Sequence, residues 1–147
     1  MINLINPQEA VLLLPKIDLQ QVVPLYGSYV TAGFPSPADD FLEKKIDLNE
    51  YLIRNKASTF LVRVAGDSMS GAGICTGDIL VVDRSVTPRN KHIIVGAING
   101  EFTVKRFIKE NKRIILQPEN PAYKAIEITA ESDFNVWGVV TFAIHNL

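Results

Sequence analysis

The sequence predicts a mostly β domain preceded by short helices and an extended arm. From Thr59 onward, short runs rich in Val, Ile and Phe alternate with turn residues, as half-buried strands require. Between two of those runs stands Asn99-Gly100, the strongest short-range hairpin signal, because a type I′ turn needs positive φ at both central residues. Before Thr59 the texture differs, with Pro7, Pro15, Pro24, Pro35 and Pro37 punctuating short apolar stretches. Proline fixes its own φ and pushes the preceding residue towards extended conformations, so helix is disfavoured there.

Residues 1–37 therefore read as an extended arm and residues 38–147 as the domain. Within the arm, Tyr29-Val30-Thr31 favours extended chain, and Ala32-Gly33 supplies two small residues that a second surface can approach. Ser36 is a good N-cap for a helix opening at Pro37, with Asp39 and Asp40 suited to the helix dipole and Phe41 and Leu42 facing inward. Asp47 caps a second short helix whose apolar face is Leu48, Tyr51 and Leu52 and which ends at Asn55. Strands are predicted at Thr59–Ala65, Asp78–Asp83, His92–Ile98, Glu101–Ile108, Arg113–Gln117 and Phe134–Ile144. In the last of these Phe134, Val136 and Trp137 suit a dimer interface and core packing equally well.

Composition removes several functions. With 147 residues, 47% hydrophobic and 21% charged, the chain is long enough to bury one core and is neither disordered nor fibrous. Its formal charge of −1 argues against nucleic-acid binding by bulk electrostatics, so direct sequence-specific DNA binding is not expected. One cysteine excludes an internal disulfide, and no Cys/His spacing matches a metal site, so neither metal nor cofactor is expected. The longest apolar run near the start is Val11–Leu14, too short for a bilayer, which predicts no signal peptide or membrane span and a cytoplasmic setting.

His92 and His145 lie in no triad signature, which removes the commonest general base. Cys75 with His92 would make a thiol and base, but nothing local supports that pair, and Cys75 reads as a small buried apolar residue. Ser68 is more informative. Gly66-Asp67-Ser68-Met69 follows a strand where the backbone must turn, so the hydroxyl is either an exposed nucleophile with backbone N–H groups near it or a helix N-cap. A serine without histidine needs another base, and a desolvated lysine serves. Alternation puts Lys105 on one strand face with Thr103 and Phe107, where it is either that base or an ordinary solvated lysine. Lowering a lysine from about 10.4 to about 7.5 takes roughly 4 kcal/mol of differential interaction, which burial can supply.

Five motifs in one collinear order decide between these alternatives. Gly33-Phe34-Pro35-Ser36-Pro37-Ala38, Ile46-Asp47-Leu48-Asn49, Gly66-Asp67-Ser68-Met69, Gly77-Asp78 and Gly100-Glu101-Phe102-Thr103-Val104-Lys105 resemble the LexA/UmuD family of self-cleaving Ser/Lys peptidases, from about Gly33 to about Val140. The resemblance implies a fold of curled antiparallel sheets in which Lys105 takes the proton of Ser68. Ser68 then cuts the chain's own Ala32-Gly33 bond, and the backbone N–H groups of Asp67 and Ser68 hold the oxyanion. It further implies an SOS-response role: a RecA filament on single-stranded DNA stimulates cleavage, and the shortened homodimer joins a Y-family translesion polymerase of the UmuC kind. Three other readings share features with this one. A repressor would need a helix-turn-helix domain ahead of the bond, a signal peptidase a membrane anchor, and a non-catalytic polymerase-binding dimer would carry the dyad idle.

Overall fold

The strands that follow Thr59 are built from β-branched and aromatic residues, and they assemble into one curled antiparallel sheet. The computed structural model describes residues 3–4, 22–26, 32 and 42–147. These fall into two compact units, Pro15–Arg54 and Met1–Leu14 together with Asn55–Leu147.

In the larger unit β1 (Asn3–Leu4), β4 (Thr59–Arg63), β5 (Ile79–Asp83), β6 (Ile93–Ile98), β7 (Glu101–Glu110), β8 (Arg113–Gln117), β9 (Ile126–Ile128) and β10 (Phe134–Ile144) form an eight-stranded sheet. Its order is β1-β4-β5-β10-β6-β7-β8-β9. The long β10 holds it together, pairing with β6 through Phe134–Val139 and with β5 through Val139–Ile144. Its register shifts between Val136 and Gly138 and again between Val140 and Phe142. Such bulges bend a strand and increase its twist, which curls the sheet. At the β6–β7 hairpin Asn99 and Gly100 take φ of 49° and 81°, the positive values that the sequence required of this turn.

The core forms two clusters. One gathers Phe60, Val62, Val64, Met69, Ile74, Leu80, Val82, Val95 and Val104, with Trp137 packed against it. The other is Ile94, Phe107, Leu116 and Val139, with Phe134 and Val136 at its margin. Trp137 meets both Phe102 and Phe60 edge-on, at ring centroid distances of 4.8 Å and 6.4 Å. Phe134, Val136 and Trp137 are thus half-buried and pack against the core from its margin.

In the smaller unit β2 (Val22–Tyr26) pairs antiparallel with β3 (Leu42–Asp47), and α1 (Leu48–Leu52) follows. Pro24 is tolerated because each strand of a two-stranded sheet has an open edge where no donor is needed. Leu42 opens this strand and is not the inward face of a helix; Ser36–Phe41 lie outside the described residues. Asp47 caps α1 as expected, accepting the Asn49 N–H at 2.8 Å. The helix stops at Leu52 and not Asn55, and Leu48 and Tyr51, expected to face inward, are exposed. Five residues make little more than one turn, too short to bury a whole apolar stripe.

Candidate active site

β4 delivers the chain to a turn that is pinned on both sides of Ser68. Upstream, Gly66 takes φ of 98°, a conformation that glycine adopts at no steric cost. The Thr76 hydroxyl bridges both backbone groups of Gly66, accepting its N–H at 3.1 Å and donating to its carbonyl at 2.9 Å. Downstream, Met69 is buried in the first core cluster and anchors the chain by apolar contact. Ser68 is left half-buried between these anchors. The short 3₁₀ turn that follows, Ser70–Ala72, begins after Met69 and takes no side-chain cap. Ser68 is therefore not an N-cap, and its Oγ instead accepts a hydrogen bond from Lys105 Nζ at 3.0 Å.

Lys105 lies in the middle of β7 and is only 8% exposed, so it is not a solvated strand lysine. Its Nζ also donates to Thr103 Oγ1 at 2.8 Å and to the Val104 carbonyl at 3.0 Å. Those contacts use all three N–H groups of an ammonium, yet none of the acceptors is charged. Among the described residues no carboxylate lies within ion-pair distance of this amine. Burial without a counter-charge disfavours the charged form and pushes the lysine below its ordinary value. Ser68 and Lys105 line a cleft of about 120 Å³ with Val64, Ala65, Phe102 and Thr103.

A second loop straps the turn from the other side. The Glu119 N–H donates to the Ser68 carbonyl at 2.8 Å, and the Glu119 carbonyl accepts the Gly71 N–H at 2.7 Å. That approach needs glycine, since a Cβ at position 71 would stand 2.5 Å from the Glu119 carbonyl oxygen. Asn120 Nδ2 donates to the Asp67 carbonyl at 3.0 Å, and the Tyr123 hydroxyl donates to Asp67 Oδ1 at 2.6 Å. The Glu119 side chain pairs with Arg106, whose guanidinium also donates to the Lys91 carbonyl at 2.7 Å. Sequence reasoning missed these residues. The local signal is Pro118-Glu119-Asn120-Pro121, a loop with two prolines, but its partners lie some 53 residues away.

The N–H groups of Asp67 and Ser68, expected to hold an oxyanion, have no hydrogen-bond acceptor among the described residues. Ala32 is exposed at a bend, and Gly33 lies outside the described residues. Cys75 is exposed and not a buried apolar residue. It sits where the chain turns towards β5, and Ile74 beside it takes the place in the core. His92 Nδ1 accepts the Arg89 N–H at 3.2 Å, and no hydrogen bond joins it to Cys75. Cys75, Asp78 and His145 bring one donor atom each within 4.8 Å of one another, as a metal ligand set would. There, however, buried Asp78 is engaged, its Oδ1 on His145 Nδ1 at 2.6 Å and its Oδ2 on the Cys75 N–H at 2.8 Å. The trio is a polar clamp that ties the C-terminal residues to the β5 entry. The Cys75 N–H, and after it His145, hold the Asp78 carboxyl below the usual range. Among the described residues no helix is long and apolar enough to cross a membrane.

Comparison with known proteins identifies the family. The family model for peptidase S24-like proteins matches residues 24–141. Protein SamA of Salmonella typhimurium is 44% identical over 127 residues, covering 86% of this chain and 88% of that one. Protein ImpA of Escherichia coli is 41% identical over 133 residues, covering 89% of each. LexA repressor 1 of Geobacter sulfurreducens is 36% identical over 136 residues, covering 92% of this chain and 66% of the repressor.

Proposed function

The chain belongs to the peptidase S24-like family, the LexA/UmuD group that its motifs resemble, and from that premise we propose that it is a self-cleaving serine peptidase with Ser68 as nucleophile and Lys105 as general base. One observation carries the reading: a buried amine with no carboxylate partner among the described residues stands 3.0 Å from the hydroxyl of a serine held on a pinned turn. When Lys105 loses the proton it directs at Ser68, its other two N–H groups stay on Thr103 Oγ1 and the Val104 carbonyl. Its lone pair then faces Ser68 Oγ at hydrogen-bond reach, where a general base must be.

Ser68 Oγ attacks the Ala32 carbonyl carbon while its proton passes to Lys105 Nζ. The carbonyl oxygen becomes an oxyanion, stabilised by the N–H groups of Asp67 and Ser68. Collapse of the tetrahedral intermediate breaks the Ala32–Gly33 C–N bond, and Lys105 gives its proton to the departing Gly33 amine. Water, deprotonated in turn by Lys105, then releases the arm from Ser68 and restores the dyad. No metal or cofactor enters. A small Ala-Gly pair suits a cleft of this size, and Ala32 is exposed at a bend.

Once cut, the chain that begins at Gly33 acts as a homodimer that serves an UmuC-like Y-family translesion polymerase in SOS mutagenesis, with cleavage stimulated by a RecA filament on single-stranded DNA. The family resemblance supports this role, and the near-neutral charge agrees with action through protein partners and not through direct contact with DNA. The test is intact-mass analysis of the purified full chain incubated with and without activated RecA filament. A new chain beginning at Gly33, absent from Ser68→Ala and Lys105→Ala, is the expected result; no cut under either condition would leave only a binding module.

A further inference from the structure

Two neighbouring peptide groups at the nucleophile turn are held through their carbonyls by one loop. The Asp67 carbonyl accepts from Asn120 Nδ2 at 3.0 Å, and from the Ser70 N–H of its own turn at 3.2 Å, while the Ser68 carbonyl accepts the Glu119 N–H at 2.8 Å. A peptide unit is planar, and in a trans unit C=O and N–H point in opposite directions; the described chain contains no cis peptide. Whatever fixes the Asp67 carbonyl therefore fixes the Ser68 N–H, which belongs to the same plane. We infer that Asn120 is a positioning residue whose side-chain amide, the shorter of the two donors on the Asp67 carbonyl and the one that comes from outside the turn, fixes with Ser70 the plane of the Asp67–Ser68 peptide and aims the Ser68 N–H at the oxyanion.

The inference rests on the peptidase reading above and adds to it a residue outside the dyad. Asn120 is itself oriented, because its Oδ1 accepts the Ala122 N–H at 3.0 Å, which leaves Nδ2 directed at Asp67. Its neighbours in the strap are fixed independently, Glu119 by Arg106 and by the Gly71 N–H, and Tyr123 by the Asp67 carboxylate. Tyr123 grips the Asp67 side chain and Asn120 its peptide group, so the two contacts separate a general tether from an aimed donor. Such aiming matters because an oxyanion donor works only when preorganised towards the position that the charge will occupy.

The experiment compares Asn120→Ala, Asn120→Asp and Tyr123→Phe with the unaltered full chain, reading self-cleavage against pH and the orientation of the Ser68 N–H vector from its residual dipolar coupling. The coupling is taken near about pH 6, where a lysine base is largely protonated and cleavage is slow. Asn120→Ala is expected to lower the high-pH plateau rate by about ten- to a hundredfold, to leave the midpoint of the pH profile in place and to rotate the Ser68 N–H. Asn120→Asp keeps the acceptor for Ala122 and replaces the donor, so it tests the same contact if the alanine variant folds poorly, and its coupling changes likewise. Tyr123→Phe is expected to change both readouts less. An unchanged plateau and coupling in both Asn120 variants, or an equal effect from Tyr123→Phe, would overturn the inference while leaving the dyad standing. Absence of cleavage in the unaltered chain would instead remove the peptidase reading.

Discussion

Two side chains of opposite charge are buried in this sheet, Asp83 at the end of β5 and Lys105 in β7. Asp83 is 4% exposed and Lys105 8%, so burial treats them alike. Their surroundings do not. Burial raises the Asp83 carboxyl, but Ser85, Asn55 and Ser58 together outweigh it with hydrogen bonds from both side chains and backbone, and the group is held down at about 2. Among the described residues Lys105 has only two hydroxyls and one carbonyl, so burial prevails and the amine is pushed towards neutrality. One charge is stabilised as charge and joins Asn55, Ser58 and Ser85 into one corner. The other is kept in reach of losing its proton beside a hydroxyl, the arrangement expected where a side chain has a chemical task.

The largest effect should come from changing the basicity of Lys105 while keeping its charge. Arginine remains protonated at any accessible pH, so Lys105→Arg should lose self-cleavage by about a thousandfold or more, as removal of a dyad member does. Mass analysis of the products checks it, and retention of cleavage would show that a positive charge, not a base, is what the site needs.

Asp83 should show the reverse pattern. Asp83→Asn removes an acceptor and sets an amide against the Asn55 donor, a loss on the order of 1–3 kcal/mol in a buried network, with cleavage of the folded chain unaltered. Its pH signature follows from the lowered carboxyl. The folded value of about 2 lies below the ordinary 3.8, so this contribution is complete above about pH 4 and fades as pH falls towards 2. Urea midpoints measured across that interval should fall more steeply for the unaltered chain than for Asp83→Asn; parallel curves would mean that the corner does not hold its charge.

A smaller effect is expected from Lys105→Met. Replacing a buried amine that has no counter-charge among the described residues by an apolar side chain of similar length is neutral or stabilising, so the melting temperature should hold or rise although activity is gone. A marked drop would place Lys105 among the structural charges with Asp83. For the unaltered chain the sign is set by the lowered lysine: the unfolded chain binds the extra proton as pH rises through the folded value, so stability should increase from there towards 10.5.

The sheet was largely legible because its strands announce themselves locally. Arg113–Gln117 and Phe134–Ile144 fall where β-branched runs predict them, and Asn99-Gly100 fixes their neighbour hairpin. The antiparallel β2–β3 pair was not, because Pro24 and the charged Glu43-Lys44-Lys45 mask a strand that exists through its pairing partner. β9 is three residues long, too short for alternation to register. Within the site, Ser68 and Lys105 could be picked out by motif, since their chemistry is carried by residue type. Asn120 could not. Its importance lies in a hydrogen bond to a backbone carbonyl far along the chain, and nothing in an asparagine between two prolines says which carbonyl it will meet.

The most direct test of the central claim is the rate of self-cleavage as a function of pH, read as the mass of the chain beginning at Gly33. If a desolvated Lys105 is the base, the rate climbs about tenfold per pH unit and levels off below 10.5, the ordinary value for lysine, and Lys105→Ala shows no such limb. A rate that is flat with pH, or one that keeps rising past 10.5 and survives in Lys105→Ala, would contradict the account.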